Sequence, residues 1–210
     1  GCTRGMSCVS VVEQQSQLPV AQSYYDGRKQ SERPAIINLL TDNHLLSCKI
    51  TLDALHLTPE LVPAIAQQRG FYLIGLKSNQ PRLLRICFVR PMLRPAEFVR
   101  LDSVQHKHGR HQRRQYRYYS LEGLALDKRW HKAALRTLVE VKRTHYDALG
   151  KPMSQTQSYY VSNAPVSCQT QANNLYEAIR GHWGVEVMHY RRDVILREDA
   201  FRCLKKSVQQ

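Results

Sequence analysis

The chain has 210 residues, and its 31 Lys or Arg against 17 Asp or Glu give a formal net charge of +14, which favours polyanionic partners. A hydrophobic share of 42% excludes a wholly disordered chain, and apolar runs far shorter than the roughly 18–20 residues of a bilayer span lead us to expect neither membrane insertion nor secretion. The six Cys form no C-x-x-C pair, which predicts reduced thiols in a cytosolic protein of one or two domains.

The first part of the chain alternates between strand and helix patterns. Alternating and β-branched residues predict the strands, while apolar residues at helical spacing, with Pro34 in a first turn, predict the helices. Such alternation is typical of an α/β sheet layer. The predicted elements are strands at 8–12 and 20–25, a helix from Pro34, a strand at 48–53, a helix at 59–70 and a strand at 71–77.

The composition changes after Pro95. Between residues 103 and 121 there is no acidic side chain, and Lys and Arg interleave with Tyr and His. A turn containing Gly150 separates two further β-type runs, and the last fifty residues return to a helical pattern. The elements predicted here are strands at 137–146 and 154–162 and two helices, at 172–180 and 183–193.

Two carboxylates stand out as candidates for chemistry. Asp53 ends an apolar strand, where open α/β sheets place ligands and catalytic groups, although a strand-end Asp also often caps the next turn or helix. Glu186, His189 and Asp193 fall on one face of a predicted helix, close enough to share an ion. That stripe could equally be a solvated face, so both alternatives stay open.

Two other kinds of metal site are rejected. The spacing of Glu186 and His189 is typical of di-iron bundles, but those need two such motifs and two further Glu. His106, His108 and His111 lie among five cations that would repel zinc, and no Cys pair accompanies them. A loop that faces a polyanion is the interpretation favoured for this segment.

Five short motifs occur in a fixed order along the chain. They are Thr51-Leu-Asp-Ala-Leu-His56, Tyr72-Leu-Ile-Gly-Leu-Lys-Ser-Asn-Gln-Pro81, His108-Gly-Arg110 with Arg113-Arg114, Ile179-Arg-x-His-Trp-Gly-Val-Glu186, and Asp193-Val194 with Glu198-Asp-Ala200. In this order the chain resembles the DDE-type transposases of bacterial insertion sequences, in the branch that contains the H-repeat-associated proteins. The resemblance covers essentially the whole chain, and five weak motifs in sequence are together specific.

The resemblance implies a ribonuclease-H-like α/β core in which two Asp and one Glu bind two divalent ions, Mg²⁺ or Mn²⁺. Two ions about 3.5–4 Å apart suit phosphoryl transfer, because one activates the nucleophile and the other stabilises the leaving oxygen. By resemblance, Asp53 is the second Asp and Glu186 is the closing Glu. The implied partners are terminal inverted repeats and target DNA, with a homodimer in the DNA complex, in the bacterial cytoplasm at the nucleoid.

The resemblance also divides the chain into three parts. Residues 1–95 would begin the core, residues 96–165 would form a basic, mostly β insertion, and residues 166–210 would carry the closing Glu on a helix. Phosphate contacts are expected from cations and amides, although the turn at 77–80 could merely link a strand to a helix. The predicted DNA contacts are Lys77, Asn79, Gln80, Arg110, Arg113, Arg114, Arg117, Arg180 and His182.

No residue of the sequence is assigned as the first Asp. Asp26 is rejected, because one helix and one strand already fill the stretch between it and Asp53, where the core needs two strands and a helix. We therefore expect the first strand and its Asp to lie upstream of Gly1, and this chain alone to be inactive or nearly so. A DNA-binding remnant without catalysis and a basic RNA-binding module stay open as alternatives.

Overall fold

The computed structural model shows a mixed α/β fold, as the sequence predicts. It divides into two compact units, the hairpin unit (Gly1–Leu46 with Ala178–Gln210) and the sheet unit (Ser47–Glu177). Within the described part of the chain, no helix combines the length and apolar character needed to span a bilayer. The structure describes residues 6–26, 29–107 and 110–190.

The hairpin unit contains two antiparallel strands, β1 (Met6–Val12) and β2 (Pro19–Asp26), followed by helix α1 (Lys29–Asp42). Both strands confirm the prediction, but the helix begins at Lys29, so the expectation that Pro34 lies in its first turn is wrong. The residues before Pro34 are good helix formers, and a Pro this close to the start withholds a hydrogen bond only from the first turn.

The sheet unit is built on one sheet. Its strands follow the order β3, β4, β9, β8, β7 and β5, and the short β6 pairs with β7. Only β3 and β4 run parallel to each other, and every other pair is antiparallel. The strands are β3 (Lys49–Leu52), β4 (Phe71–Leu76), β5 (Phe98–Leu101), β6 (Gln105–Lys107), β7 (Arg110–Ser120), β8 (Thr137–Tyr146) and β9 (Pro152–Ser162).

Three longer helices accompany these strands, namely α2 (Leu61–Gln67), α3 (Pro81–Leu93) and α4 (Gln169–Tyr190). The prediction of two helices near the C-terminus is wrong, because α4 runs without interruption through Gly181. Each helical Gly costs only about 1 kcal/mol, which the burial of apolar residues such as Leu175 and Ile179 outweighs. Short 3-10 helices lie at Leu45–Ser47, Ala54–His56 and Lys128–Ala133.

The two faces of the sheet are covered differently. On the front face, which carries Tyr72, the Tyr72 hydroxyl donates to the Ala133 carbonyl at 2.6 Å and so holds the 3-10 helix Lys128–Ala133. On the back face, the Tyr116 ring meets the Tyr176 ring of α4 edge-on at 4.9 Å, and the Arg100 guanidinium lies 3.6 Å from the centre of the Tyr176 ring. Aromatic and cation contacts therefore fix the first turns of α4 against this sheet.

The segment expected to be a loop is part of the sheet, so the expectation of a loop is wrong, while its contact with a polyanion stays a prediction. β6 pairs with β7 on either side of His108 and Gly109, which lie outside the described residues. The structural reason is the period-two pattern, because Tyr116 and Tyr118 alternate into the core and commit their strand to it.

The antiparallel strands extend past the site where β4 ends. Leu76, the last residue of β4, is paired with Tyr159, so the earlier residues of β9 have no partner in β4. At about 3.4 Å per residue, these strands project roughly 20 Å beyond the carboxyl ends of β3 and β4. We call this part the ribbon, and it contains no acidic residue. The ribbon comprises residues 110–115, 142–146 and 152–158.

Candidate active site at the carboxyl ends of two parallel strands

Asp53 and Lys77 come together where β3 and β4 end. Asp53 directly follows β3 and Lys77 directly follows β4, and parallel strands bring their carboxyl ends to one edge of the sheet. The Lys77 Nζ lies 3.2 Å from the Asp53 Oδ1, with the side chains 69% and 48% exposed. Because an ion pair this exposed contributes little to stability, either partner can exchange it for a ligand at small cost.

The alternative role of Asp53 as a helix cap is not what the structure shows. Asp53 occupies the N-cap position of the 3-10 helix Ala54–His56 with extended backbone angles, but its side chain makes no capping hydrogen bond. The N-cap position of α2 belongs to Glu60. The carboxylate of Asp53 therefore pairs with Lys77 and does not cap this helix.

The turn after β4 fastens the loop after β3. The Asn79 Nδ2 donates to the Ala54 carbonyl at 2.7 Å, and the Gln80 Nε2 donates to the Leu57 carbonyl at 2.8 Å. The two amides thus have a structural role that positions Asp53, and their contact with DNA stays a prediction.

We expect Asn79→Ala to loosen this loop. Losing a hydrogen bond to a half-buried carbonyl costs about 1 kcal/mol, and the amide hydrogens of residues 54–57 should exchange faster. Hydrogen exchange followed by mass spectrometry measures this directly. Ser78→Ala, at the exposed neighbouring position, is the matched control and should leave exchange unchanged; equal exchange in both variants would contradict the role given to Asn79.

Glu186 lies on α4, in the part of that helix that belongs to the hairpin unit. The backbone is helical through Tyr190, so His182 precedes Glu186 by one turn and Arg180 lies at the start of the same segment. The side chains of Arg180 and His182 are half-buried, while the side chain of Glu186 lies outside the described residues. The side chain of His189 and the whole of Asp193 also lie outside them, so the stripe of Glu186, His189 and Asp193 stays a prediction.

The arginines predicted to contact DNA as one row lie on β7, which divides them between the two faces of the sheet. Arg114 shares the back face with Tyr116, is buried, and donates to the Gln105 Oε1 at 2.9 Å. Arg113 and Arg117 lie on the front face, because successive side chains of a strand alternate. Arg117 lies 3.8 Å from Glu140, and the side chain of Arg110 lies outside the described residues. Their contacts with phosphate stay predictions.

A buried acid, Glu140, was not singled out by the sequence analysis. It is 3% exposed, and it accepts hydrogen bonds from the Tyr119 hydroxyl at 3.1 Å and from the Gln157 amide. Burial, followed by the nearby Glu140 charge, raises the pKa of Tyr119 to about 12. The signal in the sequence was a single acid within the largely apolar run 137–141. In the structure the Glu140 side chain links β7, β8 and β9.

The chemistry of the Asp53 carboxylate suits one ligand of a divalent ion. Mg²⁺ prefers oxygen ligands and keeps several waters, and the Asp53 carboxylate is half exposed and not used as a cap. Among the described residues, no group of three or more His, Cys, Asp or Glu side chains is arranged to hold a metal ion. The site as described therefore offers one carboxylate and an adjacent ammonium.

Comparison with known proteins confirms the resemblance drawn from the five motifs. A family model described as "Transposase DDE domain" matches residues 3–210. Two proteins of Escherichia coli strain K12 are similar: YbfL is 30% identical over 178 residues, which make up 82% of this chain and 46% of YbfL. The "H repeat-associated putative transposase YhhI" is 29% identical over 177 residues, which make up 81% of this chain and 46% of YhhI. The chain spans about half the length of these curated relatives.

Proposed function

The chain belongs to the DDE transposase family, and from this premise we propose that it binds DNA and serves in cutting and joining DNA during the movement of an insertion sequence. The observation that carries the proposal is the half-exposed Asp53 carboxylate, 3.2 Å from the Lys77 ammonium at one edge of the sheet. An acid and a cation at the carboxyl ends of parallel strands suit a phosphodiester substrate. The substrates would be the terminal inverted repeats and the target DNA.

We also propose that the core is ribonuclease-H-like. Two features support this, the parallel pair β3 and β4 joined through α2, and the antiparallel hairpin of β1 and β2 followed by α1. In such a core the three parts proposed from the sequence, residues 1–95, 96–165 and 166–210, would be core, insertion and the helix of the closing Glu. The ribbon then belongs to the insertion.

In this proposal Asp53 and Glu186 would hold the divalent ion, Mg²⁺ or Mn²⁺. When bound, the ion supplies the charge that activates the attacking hydroxyl and stabilises the leaving oxygen. In the structure the Lys77 ammonium forms an ion pair with the Asp53 carboxylate. When DNA binds, this ammonium would instead contact a phosphate of the incoming strand. Asn79 and Gln80 act through the loop they fasten, so they are positioning residues. With two carboxylates assigned where the chemistry uses three, we expect little or no cleavage by this chain alone.

A second function, DNA binding without catalysis, is favoured by a separate observation. The ribbon without acidic residues and the net charge of +14 suffice for phosphate binding, which needs no metal ion. Under either function we propose a bacterial cytoplasmic protein at the nucleoid. The homodimer in the DNA complex stays a prediction.

A binding and nicking assay tests both functions. Fluorescence anisotropy would compare a duplex that carries the inverted repeat of the element with a scrambled duplex and with RNA of equal length. We expect the repeat to be bound in preference to the scrambled duplex, with nicking in Mg²⁺ absent or near background. Binding to RNA that resists excess duplex DNA would overturn the proposal in favour of an RNA-binding module.

We expect Lys77→Gln to act in opposite directions on two ligands. Removing the ammonium from Asp53 should raise the affinity for Mn²⁺, whereas the loss of one phosphate contact should reduce the slope of log K against log salt for DNA by about 0.9. Anisotropy at several salt concentrations measures the slope. Arg69→Gln is an equal change of charge at the exposed turn before β4 and should leave the Mn²⁺ affinity and the salt slope unchanged. The same fall in salt slope in that variant would contradict a phosphate contact by Lys77.

A further inference from the structure

The edge of β9 is open in the ribbon. On one side, residues 154–158 pair with β8, and on the other side β4 ends opposite Tyr159, so none of the described strands pairs with that edge. The side chains of this edge are exposed, and one of them, the amide of Gln157, donates to Glu140. They are Ser154, Gln155, Thr156, Gln157 and Ser158.

This edge lacks the usual protection against other strands. Exposed edges normally carry a Lys, a Pro or a bulge that discourages pairing with a second protein. Between Ser154 and Ser158 there is no charged side chain, no Pro and no shift in the register against β8, whereas Pro152 and a register shift at His145/Tyr146 lie at the outer end of β9. An unprotected edge of small hydroxyl and amide side chains therefore indicates a partner that uses hydrogen bonds.

Cations lie directly behind the edge. Lys142 is paired with Gln157 and Arg143 is paired with Thr156, one strand away from the edge at a spacing of about 4.8 Å. Lys142 shares the front face with Gln157, whereas Arg143 shares the back face with Thr156, so the edge is flanked by positive charge on both sides. Neutral donors with cations behind them match a chain of phosphates, to which Ser, Thr, Gln and backbone amides commonly donate.

The edge also leads to the candidate active site. Leu76 is paired with Tyr159, so Lys77 follows at the level of Ser158, where the open edge begins. The Lys77 ammonium in turn lies 3.2 Å from Asp53. A protein strand added along this edge would meet the end of β4 after about five residues, whereas a nucleic acid strand can pass over it.

We propose that the open edge of β9, residues 154–158, holds the sugar-phosphate backbone of the DNA strand that reaches Asp53. This inference rests on the proposed function and adds to it a substrate-positioning surface of uncharged residues. Its contacts are sequence-independent, because phosphate contacts fix position and orientation and carry no direct base recognition.

Two matched double variants test the inference. Gln155→Glu/Thr156→Glu places two negative charges on the edge, and Gln67→Glu/Gln68→Glu places two on exposed residues at the end of α2, just before β4. We expect the first to weaken binding of a labelled duplex about tenfold or more and the second to change it less than about threefold, because only the first repels bound phosphates. Unfolding midpoints of both should match the unmodified chain.

A neutral variant and a crosslink separate the remaining outcomes. Gln155→Ala/Thr156→Val should weaken DNA binding without a change of charge, and a benzophenone side chain at position 156 should crosslink to DNA, whereas one at position 68 should not. Equal binding by the two Glu variants, with the unmodified chain still binding DNA, would overturn this inference alone. Failure of the unmodified chain to bind DNA would overturn the proposed function. If the chain self-associates and only Gln155→Glu/Thr156→Glu dissociates it, the edge binds a second copy of the chain. That result would overturn this inference as well.

Discussion

Asp53→Asn should weaken the binding of Mn²⁺ by the chain at least about tenfold, a loss of roughly 1.4 kcal/mol. The amide is nearly the same size as the carboxylate but has lost the charge and one of the two oxygens that a hard cation prefers. The structure leaves this carboxylate half exposed, with no capping bond that the substitution would break. Titration of Mn²⁺ followed by electron paramagnetic resonance measures the free ion directly.

The control for this variant is Asp42→Asn, an identical chemical change at an exposed position at the end of α1. It should bind Mn²⁺ as the unmodified chain does. The free energy of unfolding should be nearly the same in both variants, since the pair of Asp53 with Lys77 is exposed. Equal Mn²⁺ binding by Asp53→Asn and the unmodified chain would remove Asp53 from the metal site.

Trp130→Ala should lower the free energy of unfolding by about 3–5 kcal/mol, the largest stability change we expect from one residue. Trp130 is 2% exposed within the 3-10 helix Lys128–Ala133. That helix is held to β4 by the hydrogen bond from the Tyr72 hydroxyl to the Ala133 carbonyl. Urea denaturation followed by circular dichroism measures the change.

Leu149→Ala provides the comparison for Trp130→Ala. Leu149 is 94% exposed at the turn between β8 and β9, so its truncation should change stability by less than about 0.5 kcal/mol. If Trp130→Ala proved equally mild, the 3-10 helix would not be packed as the structure shows, and its support of β4 would be disproved.

The strands that were predicted match their observed bounds more closely than the predicted helices do, for a physical reason, although β5, β6, β7 and α3 were not predicted. β8 was predicted at 137–146 and is found there, because an apolar run of β-branched residues bounded by a Gly turn has few other conformations. α4 was divided into two because Gly is a helix breaker by local propensity, and only tertiary burial, which local pattern does not report, overrides it. The start of α1 was predicted too late, at Pro34, because that prediction also rested on a local preference, that of Pro for the first turn of a helix.

The candidate site was predicted as separate residues rather than as a site. Asp53 and Lys77 were each named, but their contact depends on the parallel register of β3 and β4, which no spacing along the chain specifies. The arginines of β7 were expected to form one row, whereas the alternation of a strand divides them between two faces. Glu140 went unrecognised because its partners Tyr119 and Gln157 lie on other strands.

Glu140 has a further consequence for how the sheet assembles. The outer half of β9 is a run of similar polar residues, and such strands specify their alignment poorly, so a shifted pairing with β8 would cost little there. A shift of β9 by one residue would turn Gln157 to the other face and remove its hydrogen bond from the buried Glu140 carboxylate, at a cost of about 1–3 kcal/mol. The buried carboxylate therefore favours one alignment of β9 with β8 during folding.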